Sequence, residues 1–144
     1  MDRPALTFAD AAPRHFDAIL RIERDAGPSS VVTLTAGQAL EEALERGHYV
    51  LVALDADDVA GWAWFTVDGS RGGEEVAQLF RVAVAAERRR TGVGRALIEH
   101  AQAVLAERDC TRMRAALAGD DHVARSFLAA LGYAVDTVTM ERPL

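Results

Sequence analysis

The segment most able to do chemistry is Val82-Ala83-Val84-Ala85-Ala86-Glu87-Arg88-Arg89-Arg90-Thr91-Gly92-Val93-Gly94-Arg95. It runs from a strand-like pattern, through a basic turn, into a helix-like pattern. A helix start presents unpaired N–H groups and a partial positive charge, which suits an anion. Gly92 and Gly94 carry no side chain to hold a phosphate away from the backbone, and Gly92 also permits unusual dihedrals. The arginines beside them supply charge-assisted hydrogen bonds. Arg89, Arg90, Thr91, Gly92, Val93, Gly94 and Arg95 are therefore the candidate phosphate-binding residues. Two other phosphate motifs are excluded. No Lys-Ser/Thr follows the glycines, and Leu97 stands where a dinucleotide fingerprint needs its third glycine.

A site of this kind needs a strand to deliver the turn and a helix to follow it. Val76–Val84 reads as that strand, and Val93, Leu97, Ala101, Val104 and Leu105 fall on one face of the helix. Upstream, Leu6-Thr7-Phe8 reads as a strand. A helix over Ala12–Ala26 has Pro13 in its first turn and ends at Gly27-Pro28. A second helix begins near Thr35, which has capping-box spacing to Gln38, and stops before Gly47. Tyr49–Leu54 and Val59–Val67 pair as a hairpin across an acidic turn, and Asp68–Gly73 forms another turn. Downstream, Met113–Leu117 is a strand, Asp120–Leu131 a capped helix ending at Gly132, and Val135–Met140 a last strand. The order predicts one α/β domain over 1–144 with a mixed, mostly antiparallel sheet and helices on both faces. The strands before and after the third helix form a right-handed parallel crossover.

Composition bounds the rest. The chain has 144 residues, is half apolar, and carries a formal net charge of −6 with a pI near 5.2. That charge argues against nucleic acid as partner and is compatible with a cationic acceptor such as an amine. No apolar run is long enough for a membrane span, and the N-terminus lacks the pattern of a secretory signal. Cys110 is the only cysteine, so no internal disulfide and no cysteine-built metal cluster is expected. A cytoplasmic protein without metal follows as the expectation.

Arg89-x-x-Gly92-x-Gly94 resembles the Q/R-x-x-G-x-G/A signature of the GNAT superfamily of N-acetyltransferases. Leu79-Phe80-Arg81-Val82-Ala83-Val84 resembles the central strand of that family. Ala124-x-x-Phe127-Leu128-x-x-Leu131-Gly132-Tyr133 resembles its last helix and the turn after it. The block Leu79–His100 is similar to the N-terminal-alanine acetyltransferases of ribosomal proteins. The resemblance implies acetyl-CoA as co-substrate and transfer to a primary amine, on a small molecule or a peptide N-terminus, in a ternary complex. It implies that the strands of 76–84 and 113–117 splay apart. The pantetheine arm would then bond to Val82, Ala83 and Val84 as an added strand. The pyrophosphate would lie on Arg89–Gly94, within reach of Arg88, Arg90 or Arg95 for a ribose phosphate. Homodimers are an expectation by analogy.

Acetyl transfer needs a neutral amine, a stabilised carbonyl oxygen and a leaving thiolate. The resemblance implies a tyrosine acid where this chain has Leu128, a glutamate base where it has Gln78, and an asparagine against pantetheine where it has Asp121. Glu75 is then the candidate base, and Ser126 and Tyr133 candidate thiolate donors. Trp62 and Trp64 share one strand face and could wall an acceptor pocket. Glu23, Glu41 and Asp68 could attract a cation. His100, His122 and Cys110 read as packing or surface residues. A non-catalytic acyl-CoA-binding or regulatory module is the alternative reading, motivated by Leu128 and Gln78.

Overall fold

The computed structural model describes residues 5–25, 36–68, 75–117, 122–135, 140 and 142–143. In chain order it places β1 (Leu6–Asp10), α1 (Pro13–Asp25), α2 (Ala36–Glu45), β2 (Tyr49–Asp55), β3 (Asp58–Asp68) and β4 (Glu75–Val84). A single 3-10 turn (Ala86–Arg88) leads to α3 (Val93–Ala106), β5 (Cys110–Ala115) and α4 (His122–Ala130). The expected caps Thr35 and Asp120, most of the turn 68–73, and most of the expected last strand lie outside the described residues. The strand expected at Met113–Leu117 starts earlier, at Cys110, because Cys110 already pairs with Glu75 at the start of β4.

The strands form one sheet in the order β1-β2-β3-β4-β5. The first four are antiparallel neighbours, and β5 lies parallel to β4 through the α3 crossover. Each face carries its own core. On one face α3 buries Val93, Leu97, Ile98, Ala101 and Leu105 against Leu51, Ala53, Ala63, Phe65, Ala77 and Leu79, joined by Leu128 of α4. On the other, Phe16, Ile19 and Ile22 of α1, with Leu40 and Ala43 of α2, cover Val50, Val52, Trp62 and Ala83. Each large aliphatic side chain buried this way contributes about 1.5–3 kcal/mol.

Strand alternation alone would put Ala77, Leu79, Arg81 and Ala83 on one face. They do not share one. Trp64 stands opposite Arg81 and Phe65 opposite Leu79, so Phe80 is an extra residue with no partner across β3. This β-bulge reverses the alternation. Ala77 and Leu79 face α3, whereas Ala83 belongs to the α1/α2 core and Val82 and Val84 pack on the α3 side.

Two local devices hold the helices in place. Gly61 lets β3 approach closely: a Cβ there would lie 2.9 Å from the Ala83 carbonyl, 3.0 Å from Val93 Cγ1 and 3.1 Å from Leu97 Cδ1. At the start of α1, the Ala12 N–H donates to His15 Nδ1 at 3.0 Å, and the His15 N–H donates to the Ala12 carbonyl at 2.8 Å. His15 thus takes the part that glutamate or glutamine plays in a capping box.

Two predictions follow from these contacts. Gly61→Ala should destabilise the fold by about 1–3 kcal/mol in urea titration, because the added methyl meets backbone and cannot be relieved by a rotamer. Burial, with a smaller contribution from Arg14, lowers the pKa of His15 from its ordinary value of 6.5. The unfolded chain therefore takes up a proton first. Stability is full above pH 6.5 and falls as the pH drops below that value toward the folded-state pKa. Urea midpoints across that window should fall in the parent chain and stay flatter in His15→Gln, which keeps an acceptor for the Ala12 N–H.

Candidate functional site

The bulge marks where the sheet opens. Pairing between β4 and β5 runs from Glu75↔Cys110 to Leu79↔Ala115 and stops there, one residue before Phe80. Beyond it, β4 continues to Val84 beside β3 alone. The Ala85 N–H donates to Ala60 of β3 at 2.9 Å. Alternation along an antiparallel strand then turns the backbone groups of Val84 and Val82 the other way, toward the open side. Backbone groups left like this need a partner from water or ligand. An extended ligand can supply one in the manner of an added strand.

The open edge leads directly to the basic turn. Ala85 starts the single 3-10 turn, and Thr91 Oγ1 donates to the Arg88 carbonyl at 2.5 Å, closing the loop. Arg90 (φ +66°) and Gly92 (φ +88°) are both left-handed. Gly92 is the N-cap of α3 and no side chain caps that helix end, so its first N–H groups are available to an anion. The two glycines have different physical roles. A Cβ on Gly92 would meet nothing, so its glycine answers to the dihedral. Gly94 is buried, and a Cβ there would lie 3.2 Å from Phe127 Cζ and 3.5 Å from Val84 Cγ2. The sequence suggested that Gly94 clears a path for phosphate; in the structure it admits Phe127 of α4.

The arginines also divide. Arg88 is paired with Asp55 at the end of β2, which occupies the guanidinium expected to be free for a ribose phosphate. Arg95 pairs with Glu99 at 2.9 Å, one turn along α3, and both are well exposed. Such a pair is worth only about 0.3–0.5 kcal/mol and yields easily to a phosphate. Arg89 and Arg90 are exposed at the turn and make no ion pair among the described residues.

On the opposite face the bulge gathers a second group. Glu23 of α1 is 9% exposed, and its Oε1 accepts from Arg81 Nε and from Trp62 Nε1, each at 2.9 Å. Trp62 is buried, so it is a core residue as well as a donor. Beside it, Trp64 Nε1 donates to His48 Nδ1 at 3.0 Å, and both rings lie against Phe80. His48, Arg81 and Phe80 were not singled out in the sequence. The spacing of apolar residues gives no signal for the bulge, because 76, 77, 79, 80, 82, 83 and 84 are all apolar.

The remaining sequence candidates scatter. Glu75 is exposed at the zipped end of β4 and β5, five residues before Phe80 and so roughly 16 Å away along the strand. Tyr133 belongs to that end too. Its ring lines a cavity of about 600 Å³ with Gln102, Cys110 and Met113, and burial raises its pKa from the usual 10. The structure therefore brings neither residue to the opening. Ser126 is exposed on α4, beside Phe127, and Leu128 is buried. Gln78 stands opposite Thr66 in β3. Glu41 and His122 are exposed, and His100 stacks on Phe8 at 4.5 Å. Cys110 Sγ sits 3.3 Å from the Glu75 carbonyl. Asp121 and the Asp68 side chain lie outside the described residues. No helix among the described residues is long and apolar enough to cross a membrane, and those residues hold no metal-binding cluster.

Known proteins share this architecture. An aminoglycoside acetyltransferase from an uncultured soil metagenomic sample, solved with sisomicin, is 18% identical, with 96% of each chain covered and a TM-score of 0.78. A transcriptional regulator from Bacillus halodurans is 16% identical over 97% of this chain and 100% of its own, with a TM-score of 0.80. A Trypanosoma brucei acetyltransferase is 19% identical over 97% of this chain and 100% of its own, with a TM-score of 0.75. At these identities the likeness is one of fold. No curated protein matches the sequence. The acetyltransferase (GNAT) family model matches residues 16–133, from α1 through the turn after α4, and the chain belongs to that family.

Proposed function

We propose that this protein transfers an acetyl group from acetyl-CoA to a primary amine, both bound at once. One observation carries the reading: β4 parts from β5 at the Phe80 bulge, and its open edge runs straight into the uncapped N-terminus of α3. A long ligand with a diphosphate at one end and an amide-bearing arm at the other fits that path. Val82, Ala83 and Val84 would hold the arm. Thr91, Gly92, Val93 and Gly94 would offer backbone N–H groups to the diphosphate. Arg89 and Arg90 would add charge, and Arg95 would join them on leaving Glu99.

Acetyl-CoA supplies an activated acyl carbon: the amine nitrogen bonds to it, the carbon–sulfur bond breaks, and coenzyme A leaves as thiolate. The chain's own contribution is mainly placement. Holding two reactants in line is worth roughly 7–11 kcal/mol in favourable cases. A backbone N–H freed at the bulge would be available to the carbonyl oxygen as it gains charge. The amine must lose a proton, and Glu23 is better placed than Glu75 to receive it, through water. Glu23 meets β4 at Arg81, next to the bulge. Leu128, being buried and apolar, has no proton to give the thiolate.

Three measurements test this reading. Acetyl-CoA should bind the parent chain in calorimetry. The Arg89→Ala/Arg90→Ala double variant should weaken Kd by about tenfold or more, at roughly 1.5–3 kcal/mol per charged hydrogen bond. Gly92→Val should weaken it too, since a β-branched residue resists the left-handed dihedral. Unchanged Kd values in folded variants would remove the proposed cofactor path. In thiol-release assays with an amine panel, Glu23→Gln should lower kcat by about 10²-fold, and Glu75→Gln by less than about twofold. Binding without amine-stimulated thiol release would favour the non-catalytic acyl-CoA-binding alternative.

A further inference from the structure

The bulge places a large apolar side chain beside the reacting groups. Phe80 is 42% exposed, although it belongs to a central strand. It closes a three-ring cluster: Trp64 and Phe80 have centroids 5.4 Å apart, His48 and Phe80 6.1 Å, and His48 and Trp64 5.9 Å. The hydrogen-bonding capacity of this wall is largely internal, because the Trp64 N–H is bound to His48 Nδ1. The adjacent charges, Glu23 and Arg81, are bound to each other. The wall therefore offers an acceptor ring faces and dispersion contact, and little net charge. A hydroxyl-rich sugar amine would lose water against these ring faces, which offer its hydroxyls little in return. A polyamine would find a carboxylate already paired.

We propose that His48, Trp64 and Phe80 select an acceptor whose primary amine sits two or three bonds from an aromatic ring. A free arylalkylamine has that chemistry, and so does a peptide whose first residue is aromatic. Phe80 is the specificity-determining residue, because it is the bulged residue at the point where β4 and β5 part. The ring packs on this wall and sets the amine beside the bulge. The transfer is then as described above: a carbon–nitrogen bond forms, the carbon–sulfur bond breaks, the amine proton passes through water to Glu23, and coenzyme A leaves as thiolate. This inference rests on the acetyl-transfer reading.

The test uses the full chain, acetyl-CoA and five acceptors: 2-phenylethylamine, a phenylalanyl dipeptide, ethanolamine, putrescine and an aminoglycoside. The ring-bearing amines should exceed ethanolamine and putrescine in kcat/KM by about tenfold or more, and the better of the two identifies the source. Phe80→Ala should raise KM for the ring-bearing amines by about tenfold. The rise should be at least about fivefold smaller for ethanolamine, which has no ring to lose. Phe80→Leu should fall between, and answers the question if the alanine variant does not fold. Preference for putrescine or the aminoglycoside, or an equal rise in KM for every amine, overturns the inference and leaves acetyl transfer standing. Failure of every amine to accelerate thiol release overturns both.

Discussion

One unpaired residue in β4 governs the arrangement of this molecule. Had β4 continued in regular register, Arg81 and Ala83 would face α3 with Leu79, and β5 could pair along its whole length. Phe80 prevents both. It reverses the alternation, so that Arg81 turns to Glu23 on α1 and Val82 and Val84 turn to α3. It also coincides with the end of β5 pairing, which leaves an open edge where a strand would otherwise lie. A bulge normally weakens a ladder. Here the cost falls where, on the proposed reading, free backbone groups and a cleft would serve a ligand.

The cleft works only if the α3 N-terminus is held against it, and small residues make that approach. Gly61 brings β3 within contact of Val93 and Leu97, and Gly94 admits Phe127 next to Val84. Thus α3 is pinned from below by the sheet and from the side by α4. The helix end follows the open edge in the chain and carries no side-chain cap. Gly92 has a separate duty: its left-handed dihedral turns the chain from the arginine loop into the helix. The glycines of one short motif therefore answer to different constraints, one of conformation and one of packing.

Features set by local pattern were legible in the sequence; those set by pairing across the fold were not. The order of elements, the parallel crossover and the basic turn all depend on periodicity, glycines and caps within a dozen residues. The Arg81–Glu23 pair joins positions 58 apart, and the Trp62–Glu23 bond positions 39 apart. No local rule announces either. The same distance effect misdirects the arginines. Arg88, Arg89 and Arg90 look alike in the sequence, yet Asp55, brought in by the β2–β3 hairpin, takes the first of them. Glu75 is set apart for a simpler reason: it lies on the same strand as the opening but at the end paired with β5. The bulge itself left no local trace, because apolar residues fall on both faces of the strand at 76–77, 79–80 and 82–84.

That division bears on how the site can work. The positions where the family resemblance implies a base and an acid hold Gln78 and Leu128. Leu128 is not a polar group in disguise; it is buried in the core beneath α3 and α4. On the proposed reading, a chain that keeps the splay, the uncapped helix and the bulge, and lacks those two proton-transfer side chains, would rely on geometry for most of its rate. Placement can supply that much, because a thiolate leaves without help far more readily than an alkoxide or an amide nitrogen would. The burden then falls on how well the acceptor amine is oriented. On the α1/α2 side of the bulge, the side chains that could orient it are the aromatic rings around Phe80 and the paired charges of Glu23 and Arg81. Rate and selectivity would thus be set by the same few contacts.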